Sequence, residues 1–366
     1  MKMEEQVRNR IAVLSNVTMD LVTAKLKSDF DIYIPDGFNT WQQEVYDVGS
    51  GLYQWMPDAV FIILYADPYE GDWQKETGSE RLGDWLSSIK FLREKMTQIP
   101  IFVSSLDMVE SGCRVVSEKH YGTQMEADWI KAIEACDQVY ILPLKEEAVN
   151  LGRLHFYLRK MWYLGNAPFS LKGSEAVAGL IRRHFFYARG SKKKCFVVDL
   201  DNTLWGGVAG EDGTDGIELA SHREGRRYYD AQLCLKQLKE KGVMLAVISK
   251  NNPEDVAPVF KNPAEREEME IQCPQVETLD FPEDTALLPQ VIEEAYSRFF
   301  KPLYIISEDR DKTEKYRRQS KRLEEQKEAA SVQDYLRKLE IRADIHLMRE
   351  EEKNRVIQLA GYGKRV

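Results

Sequence analysis

Residues 59–64 restrict the fold of this chain more than any other segment: six consecutive residues, AVFIIL, carry no polar side chain. A strand wetted on one face alternates apolar with polar residues, whereas a run apolar throughout fits a parallel strand covered on both faces. Covered faces require helices on either side of the sheet. Residues 11–14, 31–34, 99–104 and 138–142 read as further short strands, and helical periodicity runs over 18–26, 79–97 and 126–135 between them. This alternation predicts an open α/β domain with a parallel sheet.

At 366 residues the chain exceeds what one core serves, so two domains are expected. Residues 166–187 read as a loop and a closing helix, and the stretch ARGSKKK that follows has the composition of a hinge. The boundary falls near Gly190, giving domains 1–189 and 190–366. The second domain opens with a strand at 194–200, makes a glycine-rich excursion to Gly216, forms a helix over 223–242 and enters a strand at 243–249. That order is a βαβ unit, expected to be right-handed, with ligands at the C-terminal ends of its strands. Residues 307–366 are highly charged and helical in pattern, which predicts a solvated, appended extension.

A formal charge of −9 with both signs intermixed argues against a general nucleic-acid binder. The five cysteines, Cys113, Cys136, Cys195, Cys234 and Cys273, form no CxxC pair, so neither a disulfide framework nor a zinc site is indicated. The N-terminal MKMEEQVRNR lacks the apolar core of a signal peptide and no run reaches membrane-spanning length. A cytoplasmic protein in a reducing compartment is expected.

The chemistry concentrates in CFVVDLDNTLWGGVAGEDG, residues 195–213. Its short apolar strand delivers Asp199, Asp201 and Thr203 into a glycine-rich turn. Paired carboxylates at a strand end suit metal-assisted phosphoryl chemistry, in which Asp199 attacks phosphorus and Asp201 protonates the leaving group. Magnesium, which takes oxygen ligands and keeps several waters, would be held by the Asp199 carboxylate, the Asp201 backbone carbonyl and the substrate phosphate. A second element, Ser249-Lys250-Asn251, follows the apolar GVMLAVI; its hydroxyl and turn amides would hold phosphate oxygens together with Thr203.

These segments together resemble the haloacid-dehalogenase (HAD) superfamily, and more narrowly its FkbH-like branch, subfamily IIIC. The resemblance runs in order through DLDNTLWGGVAGEDGTDGIEL, VISKNNPEDV, NPAERE, LDFPED, SEDRDKTEKYRRQ and RVIQL, and LWGGV after DLDNT is far more specific than DxDxT alone. It implies a HAD-type Rossmann-like fold and magnesium-dependent handling of a phosphorylated three-carbon acyl donor, typically 1,3-bisphosphoglycerate. The glyceryl unit would pass to an acyl carrier protein in polyketide or related secondary metabolism.

The chain departs from that pattern in three places. The FkbH-like acidic pair stands immediately before NPAER, but here Val259-Phe260-Lys261 leads directly into Asn262, so a strand and its two aspartates are missing. Residues 275–281, QVETLDF, are expected to move in as the neighbouring strand, and Lys250 or Lys261 to stand in for the later phosphate-balancing lysine. Ile248 occupies the place where the family carries a cysteine before SKN, while Cys195 and Cys234 read as buried packing residues. The alternative is a catalytically impaired scaffold that binds a carrier protein or partner enzyme.

The first domain resembles the flavodoxin-like SGNH-hydrolase fold, whose nucleophilic serine follows the first strand and whose Asp-x-x-His precedes the last helix. Ser15 fits the serine position. The base position holds Gly165, Asn166 and Pro168 instead, and His120, His155 and His184 lie elsewhere. Ser15 therefore reads as a turn residue of a noncatalytic scaffold, with an esterase centred on it as the remaining option. Trp41, Tyr46, Tyr53 and Trp55 read as core or lid.

Overall fold

The computed structural model describes residues 8–67, 76–108, 121–189, 192–208, 212, 216–247, 279 and 282–303. The chain divides into two compact units, Met1–Ala188 and Arg189–Val366.

The first unit runs β1 (Asn9–Ser15), α1 (Asp20–Leu26), β2 (Phe30–Tyr33), α2 (Trp41–Tyr46), α3 (Gly51–Trp55), β3 (Ala59–Ile63), α4 (Glu76–Lys95), β4 (Ile101–Ser104), α5 (Tyr121–Glu134), β5 (Val139–Leu142), α6 (Leu144–Leu151), α7 (Arg153–Phe156), α8 (Arg159–Gly165) and α9 (Leu171–Arg189). Its five strands form one parallel sheet in the order β2-β1-β3-β4-β5. This is the flavodoxin-like winding, whose order reverses between β1 and β3.

Every residue of β3 is fully buried, and each of its four large side chains contributes about 1.5–3 kcal/mol by leaving water. The two faces are distinct although the sequence is uniformly apolar, because successive side chains point to opposite sides. Val60 and Ile62 join Ala12, Leu14, Ile101 and Val103 in a core with Trp41, Trp85 and Trp129. On the alternate residues, Phe61 stacks on Phe102 at 4.9 Å, and Phe102 meets the ring of His184 on α9 edge-on at 5.7 Å. The four aromatics read as core or lid are structural: Trp41 is buried, the Tyr53 hydroxyl donates to Val45 O at 2.6 Å, Tyr46 packs on Phe91 and Trp55 lies under the Arg10 guanidinium.

The second unit contains β6 (Cys195–Val198), α10 (Arg226–Glu240), β7 (Met244–Val247) and α11 (Leu288–Ala295), the last between a 3₁₀ turn (Thr285–Leu287) and a π-helical turn (Tyr296–Phe300). β6 and β7 pair in parallel from Cys195 with Met244 to Val198 with Val247. Helix α10 buries Tyr228, Ala231, Leu235 and Leu238 at helical spacing against Leu200, Leu204, Trp205, Leu288 and Ile292. In contrast to β3, all residues of β6 and β7 are only half-buried. Of the expected strand at 275–281 only Leu279 is described, and the expected extension at 307–366 lies outside the described residues. Among the described residues no helix is long and apolar enough to cross a membrane.

Candidate functional site

The turn after β6 builds its geometry from its own sequence. The Thr203 and Leu204 amides both donate to Leu200 O, at 3.1 and 2.8 Å, closing one tight turn directly after the strand. Helix α10 fixes that turn from outside, the Gln232 side-chain amide donating to Leu204 O at 2.7 Å. Asn202 takes φ +55°, a left-handed conformation that asparagine tolerates. Its amide donates to Gly207 O at 3.3 Å and its Oδ1 accepts from Gly207 N at 3.0 Å, which cinches the loop.

The two glycines after Trp205 have separate reasons. Gly207 sits at φ +93°, where a side chain is strained. Gly206 has no room: a Cβ there would lie 2.9 Å from Glu218 Oε2 and 3.0 Å from the Tyr228 ring. The close approach lets Gly206 and Glu218 exchange backbone bonds at 3.1 and 2.8 Å, so the excursion returns as an antiparallel bridge.

Asp199, Asp201 and Thr203 are thereby gathered at the C-terminal end of β6. Asp199 is exposed and its Oδ1 accepts from Leu200 N at 2.8 Å. Asp201 is half-buried, and its Oδ1 accepts from Trp205 Nε1 at 3.1 Å. Thr203 is half-buried in the same turn. Sequence reasoning did not single out Trp205; all the sequence offers is a tryptophan, a side chain with one N–H donor, four residues after the second carboxylate. Ser249, Lys250 and Asn251 lie outside the described residues, as does Lys261. Val247, two residues before Ser249, is in register with Val198, one residue before Asp199.

Oxygen donors of the Asp199 and Asp201 type match the preference of magnesium, which needs few protein ligands because it retains water. Among the described residues no group of three or more His, Cys, Asp or Glu is placed to hold a metal. Burial pushes the Cys195 and Cys234 thiols above their ordinary pKa, so neither is a ready thiolate. Cys113 and Cys273 lie outside the described residues.

In the first unit, Ser15 ends β1 as a turn residue. Its hydroxyl donates to Ile63 O at 2.7 Å and accepts from Val17 N at 3.1 Å. His184 is buried, with Nδ1 2.9 Å from Leu180 O, and His155 lies on α7; His120 is outside the described residues. The Gly165-Asn166 segment is a brace: Thr18 donates through its hydroxyl to Gly165 O at 2.7 Å and through its amide to Asn166 O at 3.0 Å. The rim beyond β3 and β4 carries two Asp–Arg pairs instead. Asp107, buried, takes a bidentate grip from Arg153 at 2.8–3.1 Å. Asp67 accepts from Arg159 at 2.7 Å and from Trp162 Nε1 at 2.9 Å. The Tyr157 hydroxyl is pushed well above its ordinary pKa, first by burial and then by facing Asp107.

No protein-family model matches the chain, and no curated protein matches it. Among solved structures the chain is similar to the N-terminal part of the protein BF1531 from Bacteroides fragilis, a crystal structure containing a phosphatase domain complexed with Mg. The TM-score is 0.61 at 20% identity, over 71% of this chain and 73% of that one. The two share their fold. A lipase/acylhydrolase from Enterococcus faecalis aligns over 48% of this chain and 94% of its own at 14% identity, with a TM-score of 0.34, too low to define a common fold.

Proposed function

We propose that the second unit is a magnesium-dependent phosphatase-type catalyst of the HAD kind, with Asp199 as nucleophile and Asp201 as general acid and base. The observation that carries this reading is the difference between the two carboxylates. Asp199 is exposed at the strand end, whereas Asp201 is half-buried with one oxygen engaged by an indole N–H. An exposed carboxylate is available to attack phosphorus, and a held one is suited to proton transfer. The shared fold with a phosphatase-domain protein crystallised with Mg supports the reading.

In the proposed reaction Asp199 bonds to phosphorus as the bond to the leaving oxygen breaks, and Asp201 gives that oxygen its proton. Water then releases the phosphate from Asp199, with Asp201 taking the proton back. Thr203, Ser249, Lys250 and Asn251 would hold the phosphate oxygens. The Asp199 carboxylate and the Asp201 carbonyl would hold Mg²⁺, which neutralises phosphate charge when bound. The finer part of the proposal is the substrate, a three-carbon acyl donor of the 1,3-bisphosphoglycerate class: the thiol of an acyl carrier protein displaces the acyl phosphate as inorganic phosphate to form the glyceryl thioester, and Asp199 takes the other phosphoryl group from its ester oxygen, in the cytoplasm.

Magnesium-dependent phosphate release from purified protein tests the assignment. Asp199→Asn should abolish it; unchanged release in that variant overturns the nucleophile. A second reading, a carrier- or enzyme-binding scaffold, rests on the direct run of Val259-Phe260-Lys261 into Asn262 without an acidic pair. It predicts weak magnesium uptake, so tight binding by calorimetry that is lost in Asp199→Asn counts against it.

A further inference from the structure

We propose that Trp205 is a positioning residue for the acid step: its indole N–H assigns the transferable proton of Asp201 to one carboxyl oxygen. This rests on the phosphatase reading above and adds a residue that the DxDxT pattern does not contain. Trp205 Nε1 lies 3.1 Å from Asp201 Oδ1. The indole nitrogen donates only, so the oxygen facing it must be an acceptor in both protonation states of the carboxyl group. A carbonyl oxygen accepts more strongly than a hydroxyl oxygen, so when Asp201 carries its proton the indole bond favours the carbonyl at Oδ1 and the proton on Oδ2, and the two edges of the group are no longer interchangeable.

The indole is held firmly enough for this. Trp205 is 1% exposed and packs with Leu204, Tyr228 and Leu235 in the core of the second unit. Its backbone forms a bridge with that of Asp201, so the two residues are tied by main chain as well as side chain. The next residue, Gly206, is locked in the bridge to Glu218, which prevents the indole from drifting with its loop. A carboxyl group free to rotate presents either oxygen to the substrate, and misorientation by a fraction of an ångström is costly in proton transfer.

The test uses two phosphate esters that differ in how much their leaving groups need a proton. An aryl ester with a nitrophenolate leaving group departs nearly unaided, whereas an alkyl ester requires general acid assistance. Values of kcat/KM report through cleavage of the ester bond, so both are measured for the wild type and Trp205→Phe, with thermal melting as the control for folding. The expected result is a loss about tenfold greater on the alkyl than on the aryl ester. Equal losses on both esters overturn the proposal, since a packing defect harms both alike. If Trp205→Phe does not fold, the same pair of esters is read with Trp205 replaced by benzothienylalanine, which keeps the ring shape and lacks the N–H. Failure of the underlying reading looks different: phosphate release that is absent in the wild type, or unaffected by Asp199→Asn, removes both claims together.

Discussion

The side chain of Asn16 and the backbone of Tyr65 bond to each other in both directions, Nδ2 donating to Tyr65 O at 2.9 Å and Oδ1 accepting from Tyr65 N at 2.9 Å. The exchange sits just beyond β1 and β3, where the strand order of the first unit reverses and where folds of this winding open a ligand crevice. Here one amide laces the two strand ends together. Asn16→Ala leaves a backbone donor and acceptor without their partners, so the first unit should lose about 1–3 kcal/mol. Urea denaturation checks this, and an unchanged midpoint would show that the lacing is incidental.

Next to that lacing, Ser15 spends its hydroxyl proton on Ile63 O and receives Val17 N. A serine whose proton is committed to a carbonyl is not poised for transfer to a base. A fluorophosphonate probe should leave Ser15 unlabelled in the native protein, as peptide mapping by mass spectrometry will show. Stoichiometric labelling at Ser15 would revive the esterase option.

Arg153 grips Asp107 across 46 residues of sequence, with the Asp107 side chain 2% exposed and that of Arg153 42% exposed. The pair lies between the surface and the interior, so its loss should cost more than a surface bridge and less than a fully buried one. Arg153→Ala is expected to destabilise the first unit by about 2 kcal/mol, and Arg153→Lys by less because a single ammonium cannot reproduce the fork. Chemical denaturation of the two variants side by side measures the order, and a lysine variant no better than alanine would show that charge contributes nothing.

These contacts also mark where the sequence was legible. The covered strand at 59–64 can be read directly, because six apolar residues in so short a run fit few other environments, and β3 occupies Ala59–Ile63. Helices α6 and α8 escape the same reading. They are short and mixed in polarity, and distant partners fasten them: the Ser105 hydroxyl, which accepts from Lys145 N, for α6, and Asp67, which accepts from Arg159 across 92 residues, for α8. Local periodicity carries no trace of such partners. The carboxylates of the candidate site are legible from their spacing, but Trp205 acquires a role only through where its indole points. Ser15 shows the converse: it stands at the expected strand end, and Ile63, 48 residues away, decides what its hydroxyl does.

Burial lowers the pKa of Lys192, at the start of the second unit, to about 8 from its ordinary 10.5. Below pH 8 the folded protein carries a desolvated ammonium there, whereas the unfolded chain carries a hydrated one. Between about 8 and 10.5 the unfolded state binds the extra proton, so this group makes stability rise with pH in that window. Lys192→Met removes the penalty: it should be more stable than the wild type at pH 7, with the difference shrinking as pH approaches 10.5. Paired thermal melts at several pH values test this, and a difference that does not change with pH would place Lys192 in water.

Gly207 is the tightest constraint on the loop that carries Asp201 and Trp205. At φ +93° any side chain is strained, and a Cβ there would come within 2.8 Å of Asp212 Oδ2. Both Asn202–Gly207 bonds depend on this backbone conformation, and so does the return of the chain through Gly206 to Glu218. Gly207→Ala should destabilise the second unit by more than about 1 kcal/mol. It should also lower phosphate release, because the turn that fixes Asp201 against Trp205 is closed from this residue. The stability loss and the activity loss separate experimentally: denaturation reports the first, and release measured well below the melting temperature reports the second. An alanine variant that melts earlier yet releases phosphate at the wild-type rate would show that the loop holds the unit together without setting the geometry of Asp201.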